Sequence, residues 1–182
     1  DCHRNVAVVH NGIIDNYQQL KASLIKRGHT FNSETDSEVV AHLLEDYTKD
    51  LSLVDAVSRV FKKLHGLNAI VAIHRDTQQI VAAKNGSPLV IGIGENEYFL
   101  ASDPAGIAPF TQKIVYLNDN EIISLNSTMH IFSIENGKEL KKSNPTVRKL
   151  LIDPPLVELY LLQYFIREHV LDTSTGLNDF LY

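Results

Sequence analysis

The spacing of apolar residues changes at Gly66, and this change sets the fold class. Before it, an apolar run at 6–9 indicates a buried strand, and three segments with helical spacing follow. These segments begin near Asn16, Thr35 and Ser52, residues that favour helix N-caps. The first two are followed three residues later by Gln or Glu, as in a capping box. We therefore predict one strand and three helices in this part.

Short strands replace the helical pattern after Gly66. Seven apolar segments separated by turn residues are predicted as strands at 67–74, 79–84, 89–93, 98–101, 113–117, 121–125 and 130–134. Most links are too short for crossovers, so we expect a continuous antiparallel meander, with a helical turn within 104–110. A last amphipathic helix is predicted from Pro155. Helices grouped before strands indicate an α+β fold rather than alternating βαβ units.

Composition argues against several classes of protein. The net charge of −5 and the lack of a basic stripe argue against a nucleic-acid partner. The longest apolar runs are too short to span a bilayer, so we expect no membrane contact. The single cysteine, Cys2, rules out an internal disulfide and fits a reducing cytoplasm. Without H-x-x-x-H or C-x-x-C spacing, the sequence predicts neither a metal site nor a bound cofactor.

The pair Asn11–Gly12 follows the first apolar run and has two interpretations. On spacing alone a tight turn is favoured, since Asn-Gly is among the strongest hairpin signals. Alternatively the pair forms an oxyanion hole, in which the Asn side chain and an exposed Gly N–H stabilise a tetrahedral intermediate. His10, just before the pair, is interpreted as a strand-end histidine rather than as a base.

Asp36 lies in the run SETDSE at 33–38, where the second predicted helix begins. Near a helix N-terminus a carboxylate is stabilised by the helix dipole by about 0.3–1 kcal/mol, which alone would explain the residue. Facing a pocket, the same carboxylate would instead hold the α-ammonium group of an amino-acid substrate. Position alone does not separate these two roles.

Four segments stand in the order and spacing of a known family: HNGIIDN at 10–16, SETDSE at 33–38, GSPL at 86–89 and ASD at 101–103. On these segments the chain resembles the glutaminase domain of glutamine–fructose-6-phosphate aminotransferase (isomerizing), also called glucosamine-6-phosphate synthase. The resemblance runs from Asp1 to about Ile134 and weakens after Pro145. The chain departs from the family at Asn68, where the family usually carries an aromatic residue.

The resemblance implies a four-layer αββα sandwich of the N-terminal-nucleophile hydrolase type, that of class II glutamine amidotransferases. In that family an N-terminal cysteine attacks the side-chain amide of L-glutamine, ammonia leaves, and the thioester is hydrolysed to L-glutamate. Separate domains use the ammonia to convert fructose-6-phosphate to glucosamine-6-phosphate. By resemblance, Asn11 and Gly12 form the oxyanion hole and Asp36 binds the glutamine α-ammonium.

The family's nucleophile strand and arginine loop precede the segment that matches Asp1, so we expect a domain incomplete at its N-terminus. Cys2 is a poor substitute nucleophile, because an extended path places it about 30 Å from Asn11. Its nitrogen is also an amide, so we interpret Cys2 as an incidental thiol. The expected organisation is a partial glutaminase domain at 1–142 and a connecting segment with a helix at 143–182, leading toward sugar-phosphate domains.

Two expectations about behaviour follow from this organisation. The chain alone should hydrolyse no glutamine, and an uncovered sheet edge should make it self-associate, most simply as a homo-oligomer. Two alternatives stay open, namely a domain of another class II glutamine amidotransferase and a non-catalytic module that binds an amino acid.

Overall fold

The computed structural model describes residues 1–126, 128–135, 138–140 and 148–149. Its helices are α1 (Tyr17–Lys26), α2 (Ser37–Tyr47) and α3 (Leu53–Phe61), and a 3₁₀ turn spans Pro104–Gly106. Its strands are β1 (Val6–Gly12), β2 (Asn68–His74), β3 (Ile80–Asn85), β4 (Val90–Ile93), β5 (Tyr98–Ala101), β6 (Lys113–Tyr116), β7 (Glu121–Leu125), β8 (Met129–Ser133) and β9 (Arg148–Lys149). Within these ranges no helix has the length and apolar character needed to cross a membrane. The helix predicted from Pro155 lies outside the described residues.

The strands form two antiparallel sheets rather than the single predicted meander. The first sheet has the order β1-β2-β3-β7-β8 and the second the order β5-β4-β6-β9. The chain therefore leaves the first sheet after β3 and returns to it at β7, where Lys84 pairs with Glu121. The meander prediction is wrong because turn residues set a local reversal of direction, whereas strand partners far apart in sequence are chosen by packing.

Apolar cores separate the layers of the molecule. Helices α2 and α3 share one core with the first sheet, in which Ile70 is 1% exposed. The two sheets share a second core, which contains Ala82 and Ile91. The outer face of the second sheet packs Val90 against Ile107, just after the 3₁₀ turn. The α+β prediction is confirmed, and the described residues supply the helical layer and both sheets of the sandwich.

The two faces of the edge strand β1 lie in different surroundings. The His10 side chain, on the face toward the helices, is 2% exposed. Val9, on the opposite face, is 71% exposed. Alternation along the strand puts Asn11 on the same face as Val9, and its partner Ala69 belongs to the core between the sheets. Asn11 therefore projects from the inter-sheet face at its uncovered edge.

Of the three predicted helix caps, one forms as expected. The Ser52 hydroxyl accepts a hydrogen bond from an amide in the first turn of α3. Asn16 makes no capping bond and instead binds backbone atoms of the link between α3 and β2. Helix α2 begins after Asp36 rather than after Thr35. The two predicted capping boxes are wrong because Asn16 bonds to the distant α3–β2 link, whereas Glu38 turns back to the amides of Asn32 and Ser33.

Candidate functional site

The chain turns away from the first sheet at Gly12. This residue has a φ of +133°, and a Cβ there would lie 2.0 Å from the carbonyl oxygen of Leu67. The same oxygen accepts a hydrogen bond from the N–H of Ile13 at 3.3 Å. Only glycine fits this conformation and this close approach of two backbones. Asn11–Gly12 is thus the end of a strand leading into α1, and the hairpin interpretation is wrong.

Asp36 is bonded directly to this turn. Its Oδ2 accepts a hydrogen bond from the N–H of Ile14 at 2.8 Å, across 22 positions of sequence. Asp36 is the N-cap residue of α2, yet its side chain makes no capping bond to that helix. The helix dipole is therefore an incomplete explanation for this carboxylate, which also fixes the turn that follows Asn11.

His10 joins the strand to the helix beneath the turn. Its Nε2 lies 2.9 Å from Oδ1 of Asn68, and its Nδ1 lies 3.0 Å from Oγ of Ser37. The Ser37 hydroxyl also donates to Asp36 Oδ1 at 3.4 Å, and His10 Nδ1 lies 3.7 Å from the same carboxylate oxygen. Both ring nitrogens are engaged, so His10 is the satisfied strand-end histidine that the sequence suggested, rather than a free base.

Two kinds of polar group converge on the β1–α1 turn. Asn11 is exposed and presents a side-chain amide from the inter-sheet face. Asp36 reaches the turn from α2, with its side chain 23% exposed. Amide N–H groups suit a developing oxyanion, and a carboxylate suits an ammonium group. The structure thus bonds Asp36 to the Ile14 amide, three residues after Asn11.

The loop that carries Asp36 is held by Glu38. The Glu38 carboxylate accepts hydrogen bonds from the N–H of Asn32 at 2.8 Å and from the N–H and hydroxyl of Ser33 at 2.7 and 2.6 Å. Burial raises the pKa of Glu38, but these bonds and one from His42 outweigh it and lower the pKa to about 2. Glu38 therefore stays ionised at neutral pH and holds this loop in place.

A second polar group lies toward the C-terminal end of α2. It comprises Cys2, His29, His42 and Glu45, whose ligand-type atoms all lie within 4.8 Å of one another. Burial raises the pKa of Glu45, but hydrogen bonds from His3, the Cys2 N–H and His42, together with the charge of His29, lower the pKa to about 2. Cys2 is exposed, and its sulfur lies beside the two histidines of this group.

Sequence reasoning missed this second group because its members are far apart in the chain. Cys2 is 27 positions from His29 and 40 from His42, whereas short motifs detect only near neighbours. His42 and Glu45 lie on the buried side of α2 at 1% and 4% exposure, which the sequence alone does not reveal. Buried polar side chains require partners, and the cluster supplies them.

Comparison with known proteins assigns the class of the chain. A family model described as a glutamine amidotransferase domain matches residues 1–109. The chain belongs to this glutamine amidotransferase domain family. The matched range contains β1, all three helices and both groups of polar residues described above.

Individual relatives narrow the assignment within that class. The chain is 44% identical over 139 residues to glutamine–fructose-6-phosphate aminotransferase [isomerizing] of Methanothermobacter thermautotrophicus, covering 75% of this chain and 24% of that protein. The Aquifex aeolicus protein of the same name is 40% identical over 182 residues, covering 96% of this chain and 29% of that protein. The resemblance stated from the sequence is confirmed, and the chain spans less than a third of these relatives.

Solved structures support the fold. The chain is similar to glutamine phosphoribosylpyrophosphate amidotransferase from B. subtilis, with a TM-score of 0.62 and 24% identity over 80% of this chain and 31% of that one. It is also similar to a structure described as the allosteric regulatory enzyme of purine biosynthesis, with a TM-score of 0.60 and 26% identity over 71% of this chain and 28% of that one. The expected N-terminal-nucleophile hydrolase fold is thus confirmed.

Proposed function

We propose that this chain forms part of the glutamine-hydrolysing domain of a glutamine–fructose-6-phosphate aminotransferase. The observation that carries the proposal is the bond between Asp36 and the Ile14 N–H, at 2.8 Å. Through it, a carboxylate and the Asn11–Gly12 strand end share one turn. L-glutamine carries both an amide to be attacked and an α-ammonium group to be held, so it suits such a pair.

Each residue has a distinct role in the proposed reaction. Attack of a cysteine thiolate on the glutamine amide moves negative charge onto the carbonyl oxygen. The Asn11 side-chain N–H and the Gly12 backbone N–H donate to that oxyanion, and one such donor contributes about 2.7–4 kcal/mol in the transition state. Asp36 holds the α-ammonium by a charge-assisted hydrogen bond. Ammonia leaves, and water hydrolyses the thioester to L-glutamate.

The proposal separates the glutaminase step from the use of its ammonia. We assign the conversion of fructose-6-phosphate to glucosamine-6-phosphate to parts of the relatives that lie outside the range matched by this chain. The relatives named as aminotransferases are 40% and 44% identical, against 24% for the phosphoribosylpyrophosphate enzyme. This difference favours the aminotransferase over another amidotransferase of the same class.

A chimera tests the proposal without depending on where the chain begins. The aligned segment of the Methanothermobacter aminotransferase is replaced by the corresponding part of this chain, and glutamate production from L-glutamine is measured. We expect the chimera to hydrolyse glutamine. In the chimera, Asp36→Asn keeps an oxygen for the Ile14 amide but removes the charge, so KM should rise about 10-fold or more.

Matched controls separate this effect from a loss of folding. Asp50→Asn changes an exposed carboxylate outside the site, and it should leave both kcat and KM unchanged. A folded chimera that produces no glutamate, beside an active parent enzyme, would overturn the proposal. In that case retention of glutamate binding by the chimera would favour a module that binds an amino acid without turnover.

A further inference from the structure

The cluster of Cys2, His29, His42 and Glu45 brings four electron-pair donors to one point. The Nδ1 atoms of His29 and His42 lie 3.2 Å apart. Glu45 Oε2 lies 3.2 Å from the first of these atoms and 3.3 Å from the second. Cys2 Sγ lies 3.8 and 3.6 Å from the same two nitrogens. Such a convergence requires a proton or a cation between the donors.

The outward nitrogens of both histidines face carboxylates. His29 Nε2 lies 3.1 Å from Asp46 Oδ1, and His42 Nε2 lies 3.4 Å from Glu38 Oε1. A carboxylate accepts the Nε2 proton, so each ring can present an Nδ1 lone pair to a cation once the Nδ1 protons that face Glu45 are released. Histidines that bind metals almost always donate their other ring N–H to a carboxylate or carbonyl in this way. Two such pairs around one point are difficult to explain by helix packing alone.

The spacing between the donors matches one metal geometry. A tetrahedral Zn²⁺ ion with Zn–N and Zn–O near 2.05 Å and Zn–S near 2.3 Å sets ligand atoms about 3.3–3.6 Å apart. Five of the six spacings among the Nδ1, Oε2 and Sγ atoms of the cluster run from 3.2 to 3.8 Å, and all four ligand atoms lie within 4.8 Å of one another. Mixed sulfur, imidazole and carboxylate ligands suit Zn²⁺, whereas Mg²⁺ and Ca²⁺ prefer oxygen alone.

We infer that Cys2, His29, His42 and Glu45 form a structural Zn²⁺ site. A thiolate and a carboxylate balance the charge of the ion, and four protein ligands leave no open position for catalysis. The Thr30 N–H donates to Cys2 Sγ at 3.5 Å, and Sγ lies 3.9 Å from the Thr30 carbonyl oxygen, so the backbone holds the sulfur beside the cluster. Cys2 is exposed, so the ion can enter from solvent.

The site joins three separate parts of the chain. Cys2 precedes β1, His29 lies in the link between α1 and α2, and the other two ligands lie on α2. Bound Zn²⁺ therefore crosslinks the residues before β1 to the helical layer. Glu38 faces His42 on one side and the loop that carries Asp36 on the other, so the ion also supports the loop before α2. This inference does not depend on the proposed glutaminase function.

Metal content and two spectroscopic properties test the inference on the 182-residue chain. We expect one Zn²⁺ per chain by mass spectrometry after dialysis against metal-free buffer. Co²⁺ added to the chelator-treated chain should give tetrahedral d–d bands and a thiolate-to-cobalt charge-transfer band. Because Cys2 is the single cysteine, alkylation by iodoacetamide reports on this site alone and should be slowed by Zn²⁺.

Variants with matched controls decide the result. Cys2→Ser alters an exposed residue and should keep the fold by circular dichroism, yet lose the charge-transfer band and bind Zn²⁺ at least about 10-fold more weakly. His29→Gln should also weaken binding, whereas His65→Gln, at an exposed histidine outside the cluster, should leave it unchanged. A wild-type chain that binds less than one Zn²⁺ tightly, or a Cys2→Ser chain that binds as the wild type does, would overturn the inference. The histidines would then share a proton instead.

Discussion

The two faces of the first sheet differ in how they are covered at the β1 edge. On the helical face, Ile70 of β2 is 1% exposed, and the neighbouring His10 side chain is 2% exposed. On the opposite face, Ile73 of the same strand is 39% exposed and Val9 of β1 is 71% exposed. Three helices cover the first face, whereas the core between the sheets takes in β2 but not β1.

This difference separates buried from exposed side chains along one strand. Residues toward the helices stabilise the fold, and their side chains are apolar or have polar partners. Residues toward the second sheet are left open at the edge, and there Asn11 presents its amide. A substrate needs such an open surface beside a rigid scaffold, since binding groups act best when the elements behind them do not move. Asn11, one residue of the proposed site, lies on this side of β1.

The largest expected effect compares two isoleucines of β2. Ile70→Ala should lower the free energy of unfolding by about 2–5 kcal/mol, because it opens a cavity in the helical core. Ile73→Ala, on the uncovered face, should cost clearly less, about 1 kcal/mol. Urea denaturation of both variants measures the difference. Equal losses would show that the second face is covered in solution and would remove the basis of the comparison.

A second prediction concerns the carboxylate that holds the loop before α2. Glu38→Gln replaces an ionised acceptor of three hydrogen bonds from Asn32 and Ser33, and should lower stability at pH 7 by about 1.5–3 kcal/mol. Glu34→Gln is the matched control, because the Glu34 side chain is fully exposed. Thermal unfolding that moves equally in both variants would argue against a role for Glu38 in the fold.

A third prediction concerns how the free energy of unfolding changes with pH because of Glu38. Its pKa of about 2 in the folded chain lies below its ordinary value of 4.5. The unfolded chain therefore binds more protons, so the stabilisation is complete above pH 4.5 and is lost as pH falls from there toward 2. Urea denaturation between these pH values should show a smaller acid slope for Glu38→Gln than for the wild type. An unchanged slope would contradict the assigned bonds.

The smallest expected effect concerns association through the open face. β1 is an edge strand, and exposed edges with apolar side chains pair with other chains. We expect the chain to self-associate, and Val9→Lys to weaken that association about 10-fold. Ile25→Lys, at an exposed apolar residue of α1, is the control. Sedimentation velocity that shows a monomer at all concentrations for the wild type would contradict the prediction.

Local sequence patterns predicted most helices and strands of this fold, but they did not predict which strands pair with one another. The strands were located because each apolar segment is short and bounded by turn residues, and Ser52 capped α3 because its bond is local. The division into two sheets depends on the pairing of Lys84 with Glu121, which no turn residue encodes. Packing between distant segments decides such pairings, so a single sequence predicts them poorly.

The candidate site also combines features that the sequence predicts with features that only the structure shows. For Asn11, Gly12 and Asp36 the residues alone offered both structural and functional roles, and the family resemblance is what favoured the functional ones. The Ile14 amide that joins them became visible only in the structure. Neither residue spacing nor the family resemblance predicted the contact between Cys2 and His29. These residues are 27 positions apart, and no short motif links them.

The most direct test of the account is the kcat of glutamine hydrolysis by the chimera carrying Asn11→Ala. If the open end of β1 stabilises the oxyanion, kcat should fall about 100-fold to 1000-fold with little change in KM, since one donor acts mainly in the transition state. Gln18→Ala removes an exposed amide from α1 and should leave kcat unchanged. A folded Asn11→Ala chimera with the kcat of its parent would contradict a role for Asn11 in stabilising the oxyanion.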